Sequence, residues 1–140
     1  MINMNRLRED LTRHEGSKSL VYSCTGGYAT IGVGHNLETK PLSQAAIDQI
    51  LTDDINDAVT ECESAIIGFS GFPDTVQEAL VNMAFNLGIS GLLRFSNTLA
   101  YLEDHKWLAA ADEMLDSRWA DQVGNRAIEI SNMVRKCAEA

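Results

Sequence analysis

Three residues in the N-terminal part of the chain combine reactive side chains with a short spacing. Glu15 is followed after eight residues by Cys24, and Cys24 after five more by Thr30. A glutamate at the rim of a cleft is partly removed from water, and its pKa then rises enough for general acid catalysis near neutral pH. Cleavage of a glycosidic bond needs such an acid at the leaving oxygen. It also needs a second group across the sugar that attacks the anomeric carbon or activates water. The pattern therefore makes Glu15 the candidate acid and places Cys24 and Thr30 as candidates for the opposite side.

Each of these residue types also has an ordinary structural role. A glutamate that ends a helix is usually a solvated surface group, and a cysteine in a strand is usually a small buried apolar residue. His35 lies further along the same segment, so a Cys-His nucleophile pair is a further chemical possibility. A thiol with the ordinary pKa near 8.5 is mostly neutral at pH 7, so Cys24 would need local positive charge to act as a base.

The elements that must position these residues are a helix and a hairpin. Residues 3–14 have Leu7 and Leu11 at helical spacing, and Gly16 is a plausible stop that leaves Glu15 at the helix end. The following segment, SLVYSCTGGYATIGVGH, is rich in β-branched and aromatic residues around Gly26-Gly27, which predicts two short strands joined by a tight turn. Gly32 and Gly34 in the second half predict a bend or a close backbone approach.

The remainder of the chain is predicted to be helical. Apolar residues recur at steps of three and four from residue 43 to 66, which predicts a long amphipathic helix able to link two lobes. Gly68, Gly71 and Pro73 interrupt it, Asp74 begins the next helix, and Gly88 is expected to end that one. Shorter helices are predicted at residues 96–104, 106–118 and 125–137. These elements define an α+β fold that is mostly helical.

Length and charge restrict the class of protein. The 140 residues are enough for one domain, so we expect a single domain over residues 1–140. The 11 basic residues against 20 acidic ones give a net charge of −9, which argues against nucleic-acid partners. The N-terminus is too polar for a signal peptide, and no apolar run reaches the roughly 18 residues of a membrane span. We therefore expect no signal peptide and no membrane insertion.

The cysteines and histidines do not form a recognisable framework. No C-x-x-C pair and no histidine pair with metal-ligand spacing occurs among Cys24, Cys62, Cys137, His14, His35 and His105. We expect reduced thiols, no metal site and no cofactor, since general acid catalysis on a glycoside needs neither.

The segment from His14 to His35 resembles the active-site segment of the phage-type lysozymes, the muramidases of glycoside hydrolase family 24. The shared residues are HEG, Tyr22, Cys24 and the run GGYATIGVGHNL. The family's catalytic pattern is a glutamate, eight residues, an aspartate or in some members a cysteine, five residues and a threonine, and Glu15, Cys24 and Thr30 match it position by position. MAFNLG at residues 83–88 and SRWADQVGNRA at 117–127 are similar to family segments that line and close the cleft.

The resemblance implies a fold and a role for each matching residue. The fold would be the lysozyme-like bilobal one, with a β-hairpin lobe at about residues 15–42, a linking helix at about 43–66, and a helical lobe at about 67–140 that includes the helix at 3–14. Glu15 would be the proton donor and Arg126, in the NRA triplet, its buried charge partner. His35 would form a structural ion pair with Asp54. The sugar-binding groove would be lined by Phe85, Asn86 and Gln122, although Phe85 suits core packing equally well.

The activity implied is hydrolysis of the β-1,4 bond between N-acetylmuramic acid and N-acetylglucosamine in bacterial peptidoglycan by a phage endolysin. Such a protein is expected to be monomeric, to stay in the host cytoplasm, and to need a pore-forming holin for release to the cell wall. Cysteine in place of aspartate at position 24 leaves two roles open. Cys24 is either an attacking or activating thiolate or a group that helps Thr30 orient water, and the resemblance implies inversion of the anomeric configuration. A non-catalytic peptidoglycan-binding module and a cysteine peptidase or amidase remain as alternatives.

Overall fold

The computed structural model describes residues 1–139, and its contacts divide them into two compact units. The first is Met1–Gln49 and the second begins at Ile50. Helix α1 (Met4–Glu15) opens the first unit. The Asn3 side chain caps its start by accepting a hydrogen bond from the Arg6 N–H, and Gly16, with φ of 77°, ends it. A left-handed φ at a helix end favours glycine, so the predicted stop is confirmed.

A three-stranded antiparallel sheet follows, with the order β1 (Lys18–Ser23), β2 (Ala29–Gly32), β3 (His35–Asn36). Tyr22 pairs with Thr30, and Thr30 pairs in turn with Asn36, so these three side chains share one face of the sheet. The hairpin was predicted, but the third strand was not. A strand of only two residues carries no alternation that a sequence pattern could reveal.

The long helix α2 (Gln44–Ala65) contains the boundary between the two units. After a 3₁₀ turn at Phe69–Gly71 come α3 (Asp74–Leu93), α4 (Ser96–Glu103), α5 (Trp107–Leu115), α6 (Arg118–Val123), α7 (Asn125–Arg135) and a final 3₁₀ turn at Lys136–Glu139. The prediction of an α+β fold dominated by helices is confirmed.

One helix boundary agrees with the prediction and one differs. Gly88 has φ of 73° and ψ of 160°, so the regular helix that begins at Asp74 stops there as predicted, and a second helical stretch continues α3 to Leu93. The helix predicted at residues 106–118 ends at Leu115, and a separate helix α6 begins after Ser117, whose hydroxyl accepts a hydrogen bond from the Ala120 N–H. Serine at such a position stabilises a helix start by about 1 kcal/mol.

The core of the second unit forms where α3, α4, α5 and α7 pack together. Val76, Leu80 and Met83 on α3 are fully buried, and each contributes about 1.5–3 kcal/mol by leaving water. Helix α1 buries none of its residues. It belongs to the same unit as the sheet, whereas the sequence grouped residues 3–14 with the C-terminal helices. The single-domain organisation stays a prediction.

Candidate active site

Glu15 is the last residue of α1, and its side chain packs on the backbone of Gly34 in the turn between β2 and β3. A Cβ built on Gly34 would lie 3.2 Å from Glu15 Oε2, 3.4 Å from Cδ and 3.5 Å from Cγ. Gly34 also has a left-handed φ of 72°. The sequence predicted a close approach to the backbone at this glycine, and the group that approaches it is the side chain of Glu15. Glu15 is exposed, which differs from the partial desolvation expected of it, because α1 buries no side chain.

Cys24 opens the turn between β1 and β2. Its N–H donates to the Tyr28 carbonyl at 3.0 Å, and its own carbonyl accepts from the Gly27 N–H at 2.8 Å. Gly27 has φ of 83°, so this four-residue turn closes with a residue in the left-handed region that only glycine adopts without strain. The turn curls its backbone N–H groups around the half-buried thiol.

The surroundings of Cys24 lower the pKa of its thiol. The largest effect is hydrogen bonding from the backbone N–H of Tyr28; partial desolvation opposes it, and the N–H groups of Gly26 and Gly27 and the hydroxyl of Thr30 add to the lowering. All of these donors are neutral. The sequence suggested that positive charge would be needed, but the backbone of a glycine-rich turn serves instead.

Thr30 lies opposite Tyr22 at the centre of the sheet and is 2% exposed. Its hydroxyl donates to the Tyr28 carbonyl oxygen at 2.8 Å. The structure thus brings Cys24 and Thr30 together around one turn, and both are hydrogen-bonded to the carbonyl oxygen of Tyr28.

His35 begins β3, and its Nε2 lies 3.2 Å from the carbonyl oxygen of Lys40. Asp54 is an exposed residue of α2 in the other unit, so the ion pair of His35 with Asp54 stays a prediction.

Arg126 lies on α7 and is half-buried rather than buried. Its guanidinium donates to the side-chain oxygen of Asn82 on α3, from Nε at 3.1 Å and from Nη2 at 2.8 Å, and Nη2 also lies 3.3 Å from the Asn82 carbonyl. This bidentate contact fixes the plane and direction of the guanidinium. Asn82 was not among the residues predicted from the sequence.

Asn86, predicted in the sugar groove, accepts a hydrogen bond from Nε1 of Trp119 at 2.8 Å. Trp119 is 3% exposed and packs edge-on against Phe95. A buried indole N–H needs an acceptor, and Asn86 supplies it. This hydrogen bond therefore connects the two segments singled out by resemblance, residues 83–88 and 117–127.

Phe85 and Gln122 line two different cavities of the second unit. Phe85 is 46% exposed, so it is not a core residue. It faces a mainly apolar cavity of about 450 Å³ together with Val81, Asn82 and Arg126. Gln122 faces a more polar cavity of about 360 Å³. The remaining residues of that second cavity include both charge signs: Arg94, Arg118, Glu113 and Asp116.

Within residues 1–139, no three histidine, cysteine or acidic side chains are grouped so that they could hold a metal ion. The described helices include none that is long and apolar enough to cross a membrane.

Comparison with known proteins identifies related chains. The phage lysozyme family model matches residues 12–139. Two relatives from Dictyostelium discoideum, probable T4-type lysozymes 1 and 2, are each 26% identical; the first alignment covers 94% of both chains, and the second covers 89% of this chain and 90% of the relative. The pre-baseplate central spike protein Gp5 of Enterobacteria phage T4 is also 26% identical over 91% of this chain, which corresponds to 27% of that protein.

The mostly helical α+β fold together with the match to the phage lysozyme model defines a lysozyme-type glycoside hydrolase. The chain belongs to the phage lysozyme family, since the family model covers all but its first 11 residues and its last. Its substrate is peptidoglycan.

Proposed function

We propose that the chain is an endolysin that hydrolyses the β-1,4 bond between N-acetylmuramic acid and N-acetylglucosamine, with Glu15 as the general acid. The observation that carries the proposal is the position of the Glu15 carboxyl beside Gly34, in the same unit as the hairpin that carries Cys24 and Thr30. A bound glycan strand would displace water from this exposed carboxyl, and desolvation favours the protonated form that an acid catalyst needs. Glu15 then donates its proton to the leaving oxygen as the glycosidic bond breaks.

On the opposite side of the sugar, we propose that Cys24 and Thr30 act on the attacking water. The thiolate of Cys24 takes one proton from water while the water oxygen bonds to the anomeric carbon, which inverts its configuration. The lowered pKa of Cys24 supports this role because it raises the fraction of thiolate near neutral pH. Direct attack would form a glycosyl thioether and retain the configuration.

The other residues singled out by resemblance are proposed in supporting roles. Arg126 is proposed as the charge partner of Glu15, and its bidentate bond to Asn82 supports a fixed guanidinium. Phe85, Asn86 and Gln122 are proposed to bind sugar rings, and the exposed ring of Phe85 beside a cavity is consistent with that. The structural ion pair of His35 with Asp54 is carried forward as a proposal.

The proposed biological setting is lysis of a bacterial host at the end of a phage cycle. The protein would act as a monomer, remain in the host cytoplasm, and reach the wall only after a separate holin opens the inner membrane. Added from outside, it should therefore lyse Gram-negative cells only after their membranes have been permeabilised. Lysis of untreated cells at a similar rate would contradict this setting but not the enzymatic assignment.

The decisive experiment measures new reducing ends from purified peptidoglycan with wild type, Glu15→Gln and Cys24→Ser. Glu9→Gln is the matched control because it removes an exposed carboxylate from the same helix. We expect Glu15→Gln to lose about 100-fold or more in rate with unchanged melting, as for loss of a general acid. A Glu15→Gln variant as active as Glu9→Gln would refute the proposal.

Two product assays separate the remaining mechanisms. Proton NMR of the first-formed anomer distinguishes inversion, which we expect, from retention, which would indicate attack by Cys24. Release of free amines without reducing ends would instead indicate cleavage of the peptide stems by a cysteine peptidase or amidase.

A further inference from the structure

The peptide group between Tyr28 and Ala29 is hydrogen-bonded to both Cys24 and Thr30. Its carbonyl oxygen accepts two hydrogen bonds, from the Cys24 N–H at 3.0 Å and from the Thr30 hydroxyl at 2.8 Å. Its N–H, on Ala29, donates to the carboxylate of Glu38. One planar unit therefore connects Glu38 to both residues proposed to act on water.

The chain path explains why a side chain makes this contact. Ala29 pairs with Ser23, but the hydrogen bonds at the end of that hairpin belong to Cys24 and Tyr28, so the polar groups of Ala29 point toward the β3 side. There the Ala29 carbonyl accepts from the Leu37 N–H at 2.9 Å. Strand β3 ends at Asn36, and the carboxylate of Glu38 takes the place of the next backbone acceptor.

The position of Glu38 is itself fixed locally. The side-chain oxygen of Asn36 accepts from the N–H of Glu38 at 3.0 Å and from that of Thr39 at 3.1 Å. Such a turn is a common way for asparagine to reverse the chain. It returns the Glu38 side chain toward β2, although the residue is otherwise exposed.

We propose that Glu38 is a positioning residue for the reaction: its carboxylate fixes the Tyr28–Ala29 peptide group and, through it, the direction of the Thr30 hydroxyl. A charged acceptor on the N–H polarises the peptide group and makes its carbonyl a stronger acceptor. The hydroxyl of Thr30 has one proton, which goes either to the Tyr28 oxygen or to the sulfur of Cys24. Glu38 favours the first choice, which sets the direction in which the two Thr30 lone pairs can accept from the attacking water.

This inference rests on the proposed role of Thr30, and a double-mutant cycle tests the two separately. We expect Glu38→Ala to lower kcat about tenfold, as for loss of a hydrogen bond to a charged group, with KM within about twofold of wild type. Glu38→Gln keeps an amide oxygen that can accept from Ala29, so kcat should stay within about threefold of wild type. Glu9→Ala, which removes another exposed carboxylate of the first unit, should leave both constants unchanged.

The cycle with Thr30→Val gives the decisive comparison. If Glu38 acts through the Thr30 hydroxyl, Glu38→Ala in the Thr30→Val background should change kcat less than about twofold. The same tenfold loss in both backgrounds, or Glu38→Gln as slow as Glu38→Ala, would overturn the inference while leaving the catalytic role of Thr30 intact. A Thr30→Val variant with wild-type kcat would instead refute the role proposed for Thr30. If Glu38→Ala does not fold, Glu38→Asp replaces it in the cycle, because its shorter side chain withdraws the carboxylate from Ala29.

Discussion

The contact of Glu15 with Gly34 allows the candidate acid to be moved without being mutated. In Gly34→Ala the new methyl carbon would lie 3.2 Å from Glu15 Oε2, a separation tighter than nine in ten real Cβ contacts, so the neighbour must shift by a few tenths of an ångström. The carboxyl is the end of a flexible, exposed side chain, so it will give way before the backbone does. The substitution should therefore displace the proton donor while leaving its chemistry unchanged.

Gly32 provides the matched control. It has φ of 67°, close to the 72° of Gly34, but a Cβ there would meet nothing within 4 Å. A non-glycine residue in this left-handed region costs about 1–2 kcal/mol, so both alanine variants should lose about that much stability, or roughly 5 °C in melting temperature. Small displacements of a catalytic group reduce rates steeply, and we expect Gly34→Ala to release reducing ends about tenfold more slowly than Gly32→Ala.

The assay is reducing-end release per mole of folded protein, at a temperature well below both transitions and with melting followed by circular dichroism. Equal activity in the two alanine variants would refute the reasoning, because the backbone strain that both variants share would then account for the whole loss of activity. A third comparison tests whether Gly34 acts through Glu15. In a Glu15→Gln background, Gly34→Ala should have no further effect on the residual rate, and a further tenfold loss there would show that Gly34 acts on something other than Glu15.

Three other expectations follow from single side chains. Burial, with smaller effects from the charges of neighbouring glutamates, raises the pKa of Cys62 to about 11. In the unfolded chain a thiol ionises near 8.5. The unfolded state therefore releases its proton first, and the free energy of unfolding falls as pH rises from about 8.5 to about 11. Urea unfolding of wild type at pH 7.5 and 10 should show this fall, and it should be smaller in Cys62→Ala; parallel losses would contradict it. Asn86→Ala leaves the buried Trp119 N–H without its acceptor and should lower the free energy of unfolding by about 1–3 kcal/mol in the same assay. In a Trp119→Phe background that N–H is already absent, so Asn86→Ala should there lose little of this hydrogen-bond contribution. His35→Asn should lower the melting temperature near neutral pH but keep most of the specific activity, and complete loss of activity with unchanged melting would exclude its structural role.

The sequence specified the features that depend on neighbouring residues. The start and end of α1, the hairpin turn at Gly26-Gly27 and the long helix α2 follow from capping residues, glycine conformations and apolar periodicity, all of which act over a few residues. The spacing of Glu15, Cys24 and Thr30 was visible for the same reason, since one short helix end and one hairpin carry all three.

Features that depend on the path of the chain appeared only in the tertiary structure. Strand β3 is too short to show a pattern, and it exists because Thr30 and Ile31 pair with it. The bond from Arg126 to Asn82 joins residues 44 apart, and periodicity cannot choose such a partner. The lowered pKa of Cys24 has the same origin, because the sequence shows a thiol and two glycines, while only the folded turn determines where the backbone N–H groups point.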